Sequence, residues 1–508
     1  MTYWLLMALM GAACLQGQAS AQSATALQRR YVQGQLYVTT DHTNPEYGIL
    51  DISNGKLNPF KRGVQPPKKD KDGNDLKLGA VVGLTCTTDT NGMCTYVAST
   101  DTSLISAASI PTGASVVSKL LAIIIDYSHC GSYAATATEA TVKSTYLGAA
   151  LDGTAGHAIA FERCSYGKFT YDVTAFRVVT VQPTCDTNAY GSCTYNAISG
   201  GADTAAKALI GDAAFAAFTH YTYILPPGME MSPCGWSGLA LLPGKQTWLQ
   251  TSGGGLNRWA TVMQESVHNY GLWHSWQLGR EYWDNSTAMG MGRACLNVAE
   301  LSRMGWASPA AGGAAVGQSA LPIAQGVTFN LPATYLTGTG AYVRVTPNWL
   351  TSYTDVTLGK NLYISVRVNK VGDSLLGSTY ANRVHVHSVV ADSDNGYIAG
   401  LTSTYSTSDR QISNIATTTS MSSVDLPDYK MVVYGGAWVG TDIMRVHICR
   451  YSASAAECPS PIPEASLASS SAFAQAPVTV PSFAEAPCAS PTLSSPSVAT
   501  TFTSPTQP

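Results

Sequence analysis

The stretch Gln264–His274, QESVHNYGLWH, determines the local fold at the centre of this chain of 508 residues. Gln264 and His268 are four residues apart, so a helix places them on one face, one turn from each other. We predict that this helix runs over 258–270 and that Asn257 caps its start. The spacing therefore predicts two polar side chains that project together from one helix.

Gly271 is predicted to end the helix and turn the chain, which brings His274 back toward His268. Gln264, His268 and His274 would then surround one metal ion and leave a position open for water. Glu265 lies beside that position, where a carboxylate can take a proton from the water as general base. The pattern E-x-x-H-x-x-G-x-x-H thus predicts a metal-dependent hydrolytic site.

A second motif follows downstream, where DNSTAMG over Asp284–Gly290 contains a Met-Gly turn at Met289. In metzincins, a Met-turn lies beneath the metal-binding histidines. Met289 alone would be an ordinary core residue, but the histidine motif upstream favours the Met-turn. Asn285 also begins an N-glycosylation sequon, which can be occupied only if this loop is exposed.

The segments around these motifs resemble the gametolysin family, secreted metalloproteases of the green-algal extracellular matrix. The resemblance rests on CGWSGLALLPGKQTWLQ, WATVMQESVHNYGLWHSW, GREYWDNSTAMG and RACLNVAELSRMGW, and is strongest over 119–306. It implies a metzincin-like fold, one divalent metal ion, and substrates among the hydroxyproline-rich, Pro-rich matrix glycoproteins. It also implies that Gln264 can stand where a first histidine is expected, since some members share this feature.

Gln264 leaves the identity of the metal open between zinc and copper. Its amide oxygen is a harder and weaker ligand than imidazole for zinc, whereas copper(II) binds N/O sites more tightly. Three outcomes compete: an active zinc protease, an active protease that prefers copper, and an inactive protease-fold protein with a matrix-binding or structural role. Glu265 favours activity, because a decayed site has no reason to retain its general base.

The N-terminus and the composition indicate a secreted protein of the extracellular matrix or cell wall. An apolar core over Leu5–Ala13 precedes Ala19-Ser20-Ala21, which predicts a signal peptide over 1–21. Hydrophobic residues make up 45% and charged residues 12%, and the net charge is -3. So small a charge argues against a nucleic-acid partner. No later segment is long enough for a membrane span.

The predicted fold class is an α/β (α+β) metzincin-like catalytic domain with a C-terminal all-β sandwich-like domain and a disordered Pro/Ser-rich tail. We place an N-terminal pro-region at 22–116, the metalloprotease domain at 117–312, the β-rich domain at 313–452 and the tail at 453–508. The pro-region is polar and turn-rich. Its basic clusters are consistent either with proteolytic removal or with simple solvation.

Hydrophobic periodicity predicts the individual elements of the two folded domains. In the catalytic domain we expect strands at 120–127, 168–171, 175–182 and 221–225, and helices at 134–149 and 202–217. In the β-rich domain we expect strands at 327–330, 341–345, 361–368, 384–390 and 430–434.

The 12 cysteines suit an oxidising compartment. Cys86–Cys94 and Cys185–Cys193 each flank a loop that contains Asp-Thr-Asn, which predicts two local disulfides. For the others we expect Cys130–Cys164, Cys234–Cys295 and Cys449–Cys458. Cys14 would leave with the signal peptide. Cys488 is left over in the tail and could cross-link to another chain.

Other polar residues have simpler interpretations. His385 and His387 alternate along one predicted strand, and a surface pair is a simpler explanation than a metal site. Asp392 and Asp394 are interpreted as turn residues, because no further acidic ligands accompany them for calcium. Tyr282 lies close enough in sequence to reach the substrate or the metal.

Overall fold

The computed structural model describes residues 28–40, 45–90, 92–108, 113–252, 254–355, 357–395 and 411–459. The predicted signal peptide, most of the predicted tail, Cys14 and Cys488 lie outside these residues. The described residues belong to one compact unit. None of the helices among them is long and apolar enough to cross a membrane.

The elements follow one another along the chain in this order. The strands are β1 (Gln28–Thr39), β2 (Tyr47–Leu50), β3 (Leu57–Pro59), β4 (Val81–Thr88), β5 (Cys94–Ser106), β6 (Val116–Ser118), β7 (Leu120–Ile125), β8 (Phe169–Tyr171), β9 (Arg177–Val181), β10 (His220–Leu225), β11 (Gly238–Leu242), β12 (Gln246–Gln250), β13 (Ser275–Gln277), β14 (Arg280–Glu281), β15 (Gly326–Pro332), β16 (Tyr342–Val345), β17 (Lys360–Arg367), β18 (Arg383–Val390), β19 (Ile412–Thr419), β20 (Ser422–Leu426), β21 (Met431–Val439) and β22 (Ile443–Arg450).

The helices are α1 (Glu139–Leu147), α2 (Gly156–Ser165), α3 (Thr187–Tyr190), α4 (Tyr195–Ile210), α5 (Asp212–Ala216), α6 (Trp259–His268), α7 (Val298–Arg303) and α8 (Ala391–Asp394). Single 3-10 turns occupy Ser128–Cys130, Thr351–Thr354, Val371–Asp373, Pro427–Tyr429 and Ala455–Glu457, and a π-type turn occupies Glu230–Cys234. The mixture of helices and several sheets agrees with the predicted α/β class.

The largest sheet joins the N-terminal region to the catalytic region. Its order is β3-β2-β1-β11-β12-β10-β7-β9, and β4 pairs with β1 and β5. Strands β12, β10, β7 and β9 are parallel, whereas β11 is antiparallel to both β12 and β1. All six residues of β7 are buried, which confirms the central strand predicted at 120–127. A continuous apolar run is expected where a strand is covered on both faces.

Alternate side chains of β7 enter two different cores. Leu120, Ala122 and Ile124 pack with buried residues of α1, α2 and α6. Leu121, Ile123 and Ile125 point the other way, toward buried residues of α4. This alternation follows from the two-residue period of a strand. Helix α6, which carries the histidine motif, is therefore fixed against one face of the sheet.

The N-terminal region, predicted to be turn-rich, contains five β-strands among its described residues. Strands β1 to β5 pair antiparallel and enclose a core of their own. On β1, Val32 and Leu36 are buried and Gln33 between them is exposed, and every residue from Leu36 to Thr39 is buried. The many polar residues hid this alternation in the sequence. The same core also includes Leu242 and Trp273 from the catalytic region.

The C-terminal region forms two further sheets around a common core. The orders are β14-β13-β19-β18-β17-β16 and β15-β22-β21-β20. Buried side chains of β16, β17 and β18 pack against those of β15, β21 and β22. Strand β13 pairs with β19 in parallel, with Ser275 opposite Ile412. The chain directly after the histidine motif is thus a strand of the C-terminal sheet.

The two helices predicted before the histidine motif differ in extent from their predictions. The helix predicted over 134–149 is α1, which begins after the N-cap Thr138 and ends at Leu147, before Gly148. The helix predicted over 202–217 begins earlier, because α4 starts at Tyr195, and Gly211 with φ 87 separates it from α5. Burial of one face of α4 keeps this earlier part helical despite two internal glycines.

Five disulfides join the described cysteines. Cys86–Cys94 and Cys449–Cys458 are confirmed. The predicted pairs Cys185–Cys193, Cys130–Cys164 and Cys234–Cys295 are wrong, and the bonds formed are Cys130–Cys185, Cys164–Cys295 and Cys193–Cys234. Cys130 and Cys185 follow β7 and β9, which are adjacent parallel strands whose carboxyl ends lie together. That proximity depends on sheet order, which loop spacing does not reveal.

The surface location predicted for His385 and His387 is wrong. Both side chains are fully buried, because β18 lies between β17 and β19 in the interior of its sheet. The His385 ring bonds through Nε2 to the Tyr380 carbonyl at 2.7 Å. Asp394 lies in the short helix α8, where it forms an ion pair with Arg344 at 2.7 Å.

Candidate active site

Helix α6 places the candidate residues as the sequence spacing predicts, although its ends differ. The N-cap is Arg258, without a side-chain capping bond, so the assignment of Asn257 was wrong. The helix ends at His268, two residues before the predicted end. Gly271, with φ 90, makes the turn that returns the chain toward the helix. Only glycine adopts this conformation without strain.

The four central side chains are buried in this form of the chain. The exposed fractions are 5% for Gln264, 3% for Glu265, 0% for His268 and 2% for His274. Such burial of polar groups is costly unless each has partners. A substrate therefore reaches them only if the surrounding structure opens.

Each histidine is fixed through its Nδ1 atom. His268 Nδ1 donates to the Leu272 carbonyl at 2.6 Å, and His274 Nδ1 donates to Glu281 Oε1 at 2.8 Å. The lone pair of each ring therefore lies on Nε2. The ring centroids are 4.7 Å apart. A hydrogen bond from one ring nitrogen to an oxygen is the usual support for a histidine that binds metal through the other.

Glu281 and Tyr282 both contact His274. The Tyr282 hydroxyl lies 2.7 Å from His274 Nε2, and the two ring centroids are 3.9 Å apart. Tyr282 has φ 67, an uncommon conformation for a bulky residue. Tyr282 was predicted to lie near the site, whereas Glu281 was not. The acidic residue seven positions after His274 was a signal that could have suggested it.

Glu265 lies between the helix and strand β11. A Cβ atom at Gly238 would lie 2.6 Å from Glu265 Oε1, so this close approach requires glycine. The Thr40 hydroxyl lies 3.5 Å from Glu265 Oε2. Burial raises the pKa of Glu265 to about 8, and the Thr40 hydrogen bond offsets part of that increase.

Met289 lies in the core that also receives α6. It is fully buried, and its carbonyl accepts a hydrogen bond from the Ser275 amide at 2.8 Å. The turn is therefore attached to the residue that follows His274. Asn285 is exposed, whereas Thr287 of the sequon is fully buried and bonded to Glu300 Oε2 at 2.5 Å.

The cysteines offer no alternative metal site among the described residues. His129, Cys130 and Cys185 lie close enough to share an ion, but the two sulfurs form a disulfide. Cys86 and Cys94 also form a disulfide, so neither sulfur is a free thiolate that could bind the metal. These cysteines therefore do not compete with His268 and His274 as candidate metal ligands.

The chain is similar to one family of known proteins. The sequence model of the family described as Gametolysin peptidase M11 matches residues 119–428, more than half of the chain. The chain belongs to the gametolysin family. It is a metallopeptidase of that family. The family match begins at residue 119, as the sequence resemblance does. It extends beyond residue 306, where the resemblance ends, through β20 of the C-terminal region.

The chain is also similar to one curated protein over a short segment. The chain is 35% identical over 96 residues to autolysin of Chlamydomonas reinhardtii. The alignment covers 17% of this chain and 15% of autolysin. Five disulfides and this relative indicate an extracellular protein.

The donor set fits the metal that gametolysin-family peptidases typically use, which is zinc. Zinc accepts imidazole nitrogen and oxygen ligands. His268 and His274 present Nε2 lone pairs, and α6 places Gln264 one turn before His268. A metal ion on His274 Nε2 would compete with the hydrogen bond from Tyr282.

Proposed function

We propose that this chain is a secreted metal-dependent endopeptidase in which Gln264, His268 and His274 hold the metal. A zinc ion, when bound, would polarise the substrate carbonyl and acidify a water molecule. Glu265 would accept the proton of that water and deliver it to the leaving amine. The observation that carries the proposal is the pair of histidines, each of which donates a hydrogen bond from Nδ1 to an oxygen, together with the buried carboxylate of Glu265.

Zinc is the proposed metal because it is typical of the family. Copper(II) is the second candidate, and its support is limited to the donor chemistry of the Gln264 amide. Met289 is proposed to form the floor of the site. Its burial and its bond to Ser275 support this role. The fold of residues 117–312 is accordingly proposed to be metzincin-like.

We also propose that the N-terminal region keeps the enzyme latent as a pro-region. Strand β1 pairs antiparallel with β11, which passes directly beside Glu265. The pairing continues at Thr40, whose amide donates to the Ala240 carbonyl at 3.2 Å and whose hydroxyl accepts from the Ala240 amide at 3.0 Å. An extended substrate peptide would need this same strand edge, because edge strands bind peptides by adding a strand.

The proposed substrates are Pro-rich glycoproteins of the extracellular matrix or cell wall. The family, the disulfides and the similarity to autolysin support an extracellular peptidase. The alternative is a protease-fold protein without activity, which binds or builds the matrix. Gln264 is the observation that favours this alternative, because an amide is the weakest donor of the three.

An assay of Glu265→Gln separates the two functions. We expect the wild-type chain, with zinc and with its N-terminal region cleaved, to hydrolyse Pro-rich glycopeptides. Glu265→Gln should lower kcat by roughly 10²–10⁴-fold, the usual contribution of a general base. The exposed carboxylate of Glu162 provides the control, and Glu162→Gln should leave the rate unchanged. Equal rates for wild type and Glu265→Gln would support the inactive protein.

A further inference from the structure

We infer that His387 and Asn414, on two strands of the C-terminal sheet, are positioning residues for the metal site and act through Asp284. The inference rests on the proposed function, because it concerns the ligand His274. It assigns the C-terminal strands a direct part in building the site. One buried carboxylate, Asp284, holds these groups together.

Asp284 is the centre of a fully buried hydrogen-bond network. Its Oδ2 accepts from the Ser275 hydroxyl at 2.7 Å. Its Oδ1 accepts from the Ser286 amide at 2.9 Å and from the Ser286 hydroxyl at 2.6 Å. The carboxylate therefore ties the strand after the histidine motif to the loop that leads into the Met-turn.

Two further donors reach Asp284 from the C-terminal region. His387 Nε2 on β18 lies 3.1 Å from Oδ2. Asn414 Nδ2 on β19 lies 3.4 Å from Oδ1 and 3.4 Å from the Ser286 hydroxyl. These donors are separated from Asp284 by 103 and 130 residues along the chain. Removing such partners from a fully buried carboxylate strongly destabilises the folded protein.

The network is only one peptide bond away from the proposed ligand His274. Ser275 donates its amide to the Met289 carbonyl at 2.8 Å, and its hydroxyl binds Asp284. Ser275 also stands opposite Ile412 in the parallel pair of β13 and β19. The backbone that carries His274 is thus held both by the Met-turn and by the C-terminal sheet.

The charge balance of the network agrees with this role. Burial alone would raise the pKa of Asp284. The hydrogen bond and charge of His387, together with hydrogen bonds from Ser286 and Ser275, instead hold this pKa below its usual range. The hydrogen bond from His387 is the first of the contributions that lower this pKa. The family match also spans β18 and all of the partners named here, since it covers 119–428. The peptidase unit therefore includes the strands that supply His387 and Asn414.

His385 provides a matched control for His387. It lies two residues earlier on β18, is equally buried, and stacks on His387 with ring centroids 6.1 Å apart. Its Nε2 bonds to the Tyr380 carbonyl, not to Asp284. A general loss of packing should affect both histidine variants alike. A positioning role should separate them.

The test uses the full chain with His387→Leu, His387→Gln and His385→Leu. Zinc affinity is measured by competition with a chelator, and hydrogen exchange of residues 275–291 is measured in the metal-free chain. We expect His387→Leu to weaken zinc binding by about tenfold or more, because residues that orient a metal ligand without touching the metal typically contribute this much. The same variant should increase the hydrogen exchange of residues 275–291. His387→Gln keeps an N–H donor, so its zinc affinity and hydrogen exchange should be close to those of the wild-type chain. His385→Leu should change neither the zinc affinity nor the exchange.

Equal effects of His387→Leu and His385→Leu on zinc affinity and exchange would overturn the inference, as would no effect of His387→Leu. If His387→Leu does not fold, Asn414→Leu provides the test, with a smaller change expected in the same direction. Absence of zinc binding by the wild-type chain would instead contradict the proposed function. The exchange measurement on metal-free protein still decides the positioning role in that case.

Discussion

At the scale of single residues, Gln264 decides how tightly the site holds zinc. Replacing its amide oxygen with imidazole in Gln264→His should strengthen zinc binding by at least about tenfold, which corresponds to ~1.4 kcal/mol. Zinc and copper titrations of both proteins measure the change. Gln182→His adds a histidine on an exposed part of the chain and controls for unspecific binding. Unchanged zinc affinity in Gln264→His would remove Gln264 from the ligand set.

The sequence predicts residues whose partners are close along the chain. His268 and Glu265 share one helix with Gln264, and a glycine turn brings in His274, so local spacing was sufficient. Thr40 could not be predicted, because it reaches Glu265 across 225 residues. The Asp284 network was missed for the same reason, since its donors come from strands whose order in the sheet is a tertiary property.

At the scale of elements, the pairing of β1 with β11 is expected to control access to Glu265. Thr40→Val keeps the shape of the side chain but removes the hydroxyl that accepts from the Ala240 amide. A buried donor left without its acceptor costs about 1–3 kcal/mol, so this end of β1 should separate from β11 more often. We expect the uncleaved variant to show roughly tenfold higher basal peptidase activity than the uncleaved wild type.

Thr95→Val on β5 is the matched control, because the Thr95 hydroxyl donates to the Thr87 carbonyl within the N-terminal region. It should leave the basal activity of the uncleaved chain unchanged. The ratio of activity before cleavage to activity after cleavage is the quantity to compare. Were Thr40→Val to keep the wild-type ratio, β1 would not be the element that restrains the site.

At the scale of the whole molecule, the sequence predicted the class of each region better than the contacts between regions. The apolar β7 run and the alternating C-terminal strands follow from local periodicity. The continuation of one sheet from β3 to β9 cannot be predicted from local periodicity, because it requires β1 and β11 to pair across about two hundred intervening residues. Likewise, β13 follows the histidine motif but belongs to the C-terminal sheet.

These shared sheets predict opposite effects for the two ends of the described chain. A specific protease site introduced between residues 108 and 113 should, after cleavage and release of the N-terminal region, raise activity, because β11 and Glu265 lose their cover. A chain that ends at residue 312 should instead lose zinc binding, because β13 loses β19 and Asp284 loses His387 and Asn414. Peptidase assays and zinc titrations of the two proteins beside the full chain measure both effects. A 312-residue chain that binds zinc as tightly as the full chain would show that the C-terminal sheets are not needed to build the site.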